Sequence, residues 1–230
     1  MEATVVPRHV AIIMDGNRRW ARARGVSEAE GHAAGVRAIR PLLHRAVERG
    51  VAVLSLYAFS RENWSRSPDE VRALFELLES AIRNETAELR SQGVRVRLLG
   101  RLDELPSETR ASIVGGLDAT RDGQRLTLNV AFNYSGRSEL VDAARRCIAD
   151  GLAPDEIDEA ALDARLYTAG LPDPDLLIRT GGDQRLSNFL VWQCAYAELY
   201  FSELLWPDFG PEAFDEALAD YARRTRRFGR

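Results

Sequence analysis

An aspartate, a glycine, an asparagine and two arginines stand at 15–19, directly behind the apolar run HVAIIM at 9–14, and Trp20 closes the group. Gly16 permits a tight strand-to-helix turn, N–H groups exposed in that turn can face an anion, and Arg18 and Arg19 add fork-shaped donors. Asp15 cannot bind a phosphate by itself, but a divalent cation can join the two. Mg2+ is commonly held by one or two carboxylates together with substrate phosphate oxygens. Taken alone, the stretch reads equally well as a helix N-cap aspartate followed by solvated arginines.

Two further stretches carry similar chemistry. YAFSRENWSRSPDE at 57–70 collects Ser60, Glu62, Asn63, Trp64 and Arg66 behind a second apolar run, and loops at strand ends usually hold binding groups. A turn with capping residues explains Ser67 and Pro68, but not Asn63 and Trp64 together. LIRTGGDQRLSNFLVWQCAYAELYF at 177–201 places Arg179, a Gly181–Gly182 turn, Arg185 and Ser187 within nine positions. Two arginines and a hydroxyl beside glycines suit a diphosphate, each charge-assisted hydrogen bond contributing roughly 1.5–3 kcal/mol.

Composition removes many rival chemistries. All 31 residues counted as Lys or Arg are arginine, which excludes a G-K-[ST] phosphate loop, a Schiff-base lysine and a lysine base. G-x-G-x-x-G and G-x-S-x-G are absent too. The two cysteines, Cys147 and Cys194, form no C-x-x-C pair, and His9, His32 and His44 have no metal spacing. A net charge of -4 supplies no field for nucleic acid, so any anion site is built from local arginines. No apolar run approaches the roughly 18 residues of a membrane span, and MEATVVPRHV lacks a signal-peptide pattern. The expectation is a cytoplasmic protein.

The elements that must position these groups alternate. Residues 9–14, 52–59, 94–99, 125–132 and 175–179 are short runs rich in Val, Ile and Leu, expected as buried strands. Residues 31–49, 69–91, 107–120 and 137–150 show helical apolar spacing, as in Val71, Leu74, Leu77, Leu78 and Ile82. Ser67, Pro68, Asp69 and Glu70 make a helix start, and Pro41 is expected to kink or split its helix. The pattern predicts an α/β fold, a single domain over 1–230 with a mostly parallel central sheet surrounded by helices. In such sheets ligands sit outside the carboxyl ends of the strands, where Asp15, Ser60 and Thr180 fall.

From HVAIIMDGNRRWA through GHAAG, YAFSRENW and LNVAFNYSGR to IRTGGDQRLSNFLVWQCAYAELYF, LWPDF and the terminal RRFGR, the chain resembles the cis-prenyltransferases of the undecaprenyl diphosphate synthase type. The resemblance implies a Mg2+-dependent prenyltransferase of isoprenoid biosynthesis that adds isopentenyl diphosphate to an allylic diphosphate, working as a homodimer. It implies that Asp15 binds the metal and helps activate the allylic diphosphate, that Gly16, Asn17 and Arg19 hold that group, with Arg18 and Trp20 also among the substrate-binding residues, and that His32, Ser60 and Asn63 serve diphosphate handling and proton removal. Trp64 and Arg66 go with substrate binding, and Arg179, Arg185 and Ser187 with the isopentenyl diphosphate pocket. Glu198 matches a glutamate that assists the metal, and Arg227 and Gly229 a terminus that reaches into the partner's site. Ala58, Leu74 and Leu78 match the wall of an apolar product tunnel, whereas apolar periodicity by itself signals only core. The lipid product implies peripheral membrane association.

Two positions depart from the family pattern. Glu28 stands where many members carry an arginine that contacts the allylic diphosphate, and Asp183 where glutamate is usual. A medium-chain, undecaprenyl- or decaprenyl-like product is expected, with a short-chain Z-isoprenyl diphosphate as the alternative. A non-catalytic partner subunit would lose Asp15 and Asn63, both present here. A phosphatase of another α/β family would leave FLVWQCAYAELYF unexplained.

Overall fold

The first apolar run buries on both sides at once: Val10 and Ile12 join one core cluster, Ala11 and Ile13 another. A strand covered on both faces has no reason to alternate with polar residues. In the computed structural model, which describes residues 5–224, six strands form one parallel sheet: β1 (His9–Ile13), β2 (Val53–Ser60), β3 (Val94–Leu99), β4 (Leu126–Tyr134), β5 (Leu176–Arg179) and β6 (Glu198–Phe201). Their spatial order is β3-β4-β2-β1-β5-β6, with every pair parallel. The chain therefore winds to one side of β1 first and to the other side afterwards. The register aligns Ile13 with Tyr57 on β2 and with Arg179 on β5, so three strand ends open together where the winding reverses.

The helices are α1 (Asn17–Arg24), α2 (Glu28–Glu48), α3 (Pro68–Ser91), α4 (Ser107–Thr120), α5 (Gly136–Ala149), α6 (Glu159–Asp163) and α7 (Pro211–Arg223). Starts follow the capping chemistry. Ser27 and Glu30 form a capping box that begins α2 earlier than its apolar spacing suggests, and Ser67 accepts from the Glu70 N–H at the start of α3. Strand β6 and helices α6 and α7 add to the predicted elements; β6 is four residues long, too short for a period to show.

Pro41 does not split α2. Its ring faces solvent, while the adjacent Leu42 and Leu43 and then Ala46 are buried. That packed face holds the helix together although the proline removes one backbone donor. Among the described residues no helix is long and apolar enough to cross a membrane.

Candidate active site

The turn after β1 depends on two close backbone approaches. Gly16 takes φ 116°, and a Cβ there would stand 2.9 Å from the Cα of Leu205, so only glycine fits this junction. Helix α1 then starts with no side-chain cap, which leaves the N–H groups of its first turn available to an anion. Gly35, in the second turn of α2, packs so near α1 that a Cβ would lie 2.4 Å from Asn17 Oδ1. The spacing of GHAAG thus serves to seat α2 on α1.

Asp15 sits between the ends of β1 and β5. Its N–H donates to Thr180 Oγ1 at 2.9 Å, and the Thr180 hydroxyl donates back to the Asp15 carbonyl at 2.7 Å. Arg179 Nη2 donates to Asp15 Oδ2 at 2.8 Å, and Arg19 Nη2 lies 3.3 Å from Oδ1. Burial alone would raise the Asp15 carboxyl, but the hydrogen bond and charge of Arg179, with those of Arg19, reverse it and hold the group below its ordinary range. It is ionised at neutral pH.

The loop after β5 converges on the same guanidinium. Arg179 also donates to the Arg185 carbonyl and to Ser187 Oγ, each at 2.6 Å, and to Asp183 Oδ2 at 3.0 Å. Arg185 donates to Asp183 at 2.6 Å and is largely exposed. Asp183, one methylene shorter than the usual glutamate, therefore ties both arginines together. Ser187 has φ 47°, a strained setting for a serine. Buried Arg179 is an organiser of this loop as well as a candidate ligand group.

On the other side of Asp15, β2 delivers Ser60, whose N–H donates to Asn63 Oδ1 at 3.0 Å. The Trp64 indole N–H donates to Asn133 Oδ1 at 2.8 Å, with its ring edge-on to Phe59. Arg66 pairs with Glu70 at 2.8 Å, and Glu70 in turn lies 3.9 Å from His32 Nε2. Burial first, then the nearby Arg66, lowers the His32 pKa, so the ring is neutral at pH 7. His32 Nε2 and Asn17 Oδ1 are both buried without a hydrogen-bond partner.

Those two residues line a cavity of about 210 Å3 between α2, α3, α4 and the sheet. Its walls are mostly aliphatic, and Ala58, Leu74 and Leu78, expected as tunnel wall, all lie on it. Polar side chains, among them Arg40, His44, Glu85 and Gln92, line it as well. The arrangement offers anion donors and an ionised carboxylate close to a mostly apolar cavity.

Other expected positions lie elsewhere. Trp20 donates its indole N–H to Asp208 at 2.8 Å and carries Arg24 over its ring at 4.2 Å, so it braces the 206–208 turn rather than joining the group at Asp15. Glu198 is not brought to Asp15 within one chain. It begins β6 and bonds Arg224 at 2.9 Å, while the register puts Phe201, three residues later, level with Arg179. That leaves about 10 Å along the strands and two strand spacings across. Arg227 and Gly229 lie outside the described residues. Glu28, in the place where an arginine is common, is paired with Arg18 at 2.7 Å and Arg22 at 3.0 Å.

Thr180 was visible in sequence only as a strand-end residue; its hydroxyl bonds to the Asp15 backbone gave no sequence signal. Tyr57, stacked on Phe189 at 4.5 Å with its hydroxyl 3.4 Å from the Ser187 carbonyl, gave none either. Trp206, within LWPDF, donates its indole N–H to the Gly35 carbonyl at 2.8 Å.

Comparison with known proteins gives the chain's relatives. The prenyltransferase family model described as undecaprenyl diphosphate synthase matches residues 13–229. The isoprenyl transferase of Heliobacterium mobile is 48% identical over 97% of this chain and 88% of its own length. Ditrans,polycis-undecaprenyl-diphosphate synthase ((2E,6E)-farnesyl-diphosphate specific) of Xanthomonas axonopodis pv. citri is 47% identical over 99% of this chain and 90% of its own. Lavandulyl diphosphate synthase from Lavandula x intermedia, solved with dimethylallyl diphosphate, superposes with a TM-score of 0.94 at 38% identity, covering 98% of this chain and 99% of that one.

Proposed function

The chain belongs to the undecaprenyl diphosphate synthase family of prenyl transferases, and from that premise we propose that it condenses isopentenyl diphosphate with an allylic diphosphate to give a medium-chain Z-polyprenyl diphosphate. One observation carries the reading: an uncapped helix N-terminus follows an ionised Asp15, and its first residue, Asn17, lines an aliphatic cavity together with His32, each with an unpartnered polar atom. Such a site suits an amphiphile with an anionic head and a growing apolar tail. The name of the Xanthomonas relative supports an undecaprenyl product and a farnesyl primer.

In this reaction the terminal methylene carbon of isopentenyl diphosphate bonds to C1 of the primer. The C1–O bond breaks, diphosphate leaves with the electron pair, and a proton leaves the adduct. The leaving group's growing charge is the quantity to stabilise, and preorganised donors do so without reorganisation. The amides opening α1, with Arg18 and Arg19, hold the primer diphosphate. The loop of Arg179, Arg185 and Ser187 holds the second diphosphate, while Ser60, Asn63 and neutral His32 lie between as proton-handling groups. Trp64 and Arg66 line a neighbouring pocket with Pro68, Val71 and Phe75, and Arg66 reaches the site through Glu70, which lies 3.9 Å from His32.

The site also fits Mg2+. Among the described residues no three His, Cys, Asp or Glu side chains cluster as a metal cage, and Mg2+ needs none when it arrives on substrate phosphates with one protein carboxylate. Asp15, ionised and partly open, would hold it, and the ion would supply charge neutralisation at the diphosphate. Glu198 could meet that ion only from a second copy, in keeping with a homodimer.

Incubation with labelled isopentenyl diphosphate, Mg2+ and allylic primers of several lengths tests the proposal. Label should enter an organic-extractable product whose dephosphorylated form runs as a medium-chain alcohol. Phosphate release without incorporation would overturn the transferase reading for this site, and products only two or three units long would replace the medium-chain assignment.

A further inference from the structure

Arg18 is the second residue of a helix whose first amides are uncapped, so its guanidinium is among the first cations that an anion at that terminus meets. It is already engaged. Its Nε is 2.7 Å from Glu28 Oε2, and the other oxygen of the same carboxylate takes Arg22 Nη2 at 3.0 Å. Glu28 is also well anchored. It opens α2 directly after the Ser27–Glu30 capping box, and Gly31 and Gly35 seat the first turns of that helix on α1.

We infer that Glu28 is a built-in counter-anion: it occupies Arg18 and Arg22 until the allylic diphosphate displaces it, and so sets primer affinity and the minimum charge a primer must carry. This rests on the diphosphate reading given above. The pair is exchangeable because both side chains are partly open, 43% exposed for Arg18 and 34% for Glu28. An exposed ion pair shifts an equilibrium by up to about fivefold. A diphosphate brings several charges and a bidentate match to guanidinium, and therefore outcompetes one carboxylate. A monophosphate competes less well.

The test is Glu28→Gln, which keeps the shape and removes the charge. KM for the allylic diphosphate should fall about two- to fivefold with kcat little altered, and a prenyl monophosphate should become a stronger competitive inhibitor. In an Arg18→Gln background the same change should give a smaller gain. An unchanged KM, or an equal gain without Arg18, overturns the inference. If Glu28 served only as a favourable charge at the start of α2, the variant would melt earlier and KM would not move. Titration calorimetry with inorganic diphosphate separates this idea from the transferase proposal. Tighter binding by Glu28→Gln is expected even if no label is incorporated, and equal binding refutes the role of Glu28.

Discussion

Asp15 has its charge state set by its neighbours. Arg179 and Arg19 keep it ionised against the pull of burial, so its carboxylate is available wherever the enzyme works near neutrality. Replacing it with Ala should lower kcat/KM by about 100-fold or more while circular dichroism stays native. Near-normal turnover would remove Asp15 from the mechanism. His9 makes a different residue-scale prediction. Its Nδ1 donates to the Pro172 carbonyl and its Nε2 accepts from the Ser55 hydroxyl, each at 2.7 Å. Burial lowers its pKa from 6.5 to about 4. The unfolded chain therefore binds the proton first, and this contribution, about 3 kcal/mol, is present above pH 6.5 and lost as pH falls toward 4. Urea unfolding at several pH values should show that slope, and a His9→Gln variant should lack it.

At the scale of elements, the site depends on the level of strand ends. Register brings Asp15, Ser60 and Thr180 to one edge, and the seat of α2 on α1 brings Asn17 and His32 to the cavity beneath. The strand runs and the four long helices were legible because each is a sustained apolar period. The start of α2 was legible only through Ser27 and Glu30, and Pro41 misled because its effect on a helix depends on the packing around it. Ala58 belongs to this scale: it is exposed within the mostly buried strand β2 and lines the cavity. Enlarging it to Leu should shorten the product ladder by one or more units with the fold retained, and an unaltered ladder would mean that products do not pass it.

For the whole molecule, the sheet leaves β6 as an edge. Beside it Tyr196 is 78% exposed and Leu204 44%, while Leu199 on the strand itself is 36% exposed. An edge strand flanked by apolar side chains calls for a cover, and under the homodimer proposal that cover is a second copy, which would bring another Glu198. Sedimentation should therefore report twice the 25.7 kDa chain mass, and Leu199→Asp should shift it toward the monomer. A variant that stays dimeric would place the interface elsewhere.

The chemistry of the site was readable from local order: a carboxylate, a glycine and arginines behind an apolar run, and a second arginine cluster behind another. Those readings needed only residue types and short spacing, which a linear chain preserves. Which groups meet was decided by folding. The chain order says nothing of β5 lying beside β1, so the Asp15–Arg179 bond, 164 residues apart, had no local signal. The same holds for the pairing of Glu28 with Arg18 and for the distance between Glu198 and Asp15. Side-chain partnership across strands and helices is a property of register and packing, and it exists only once the sheet has formed.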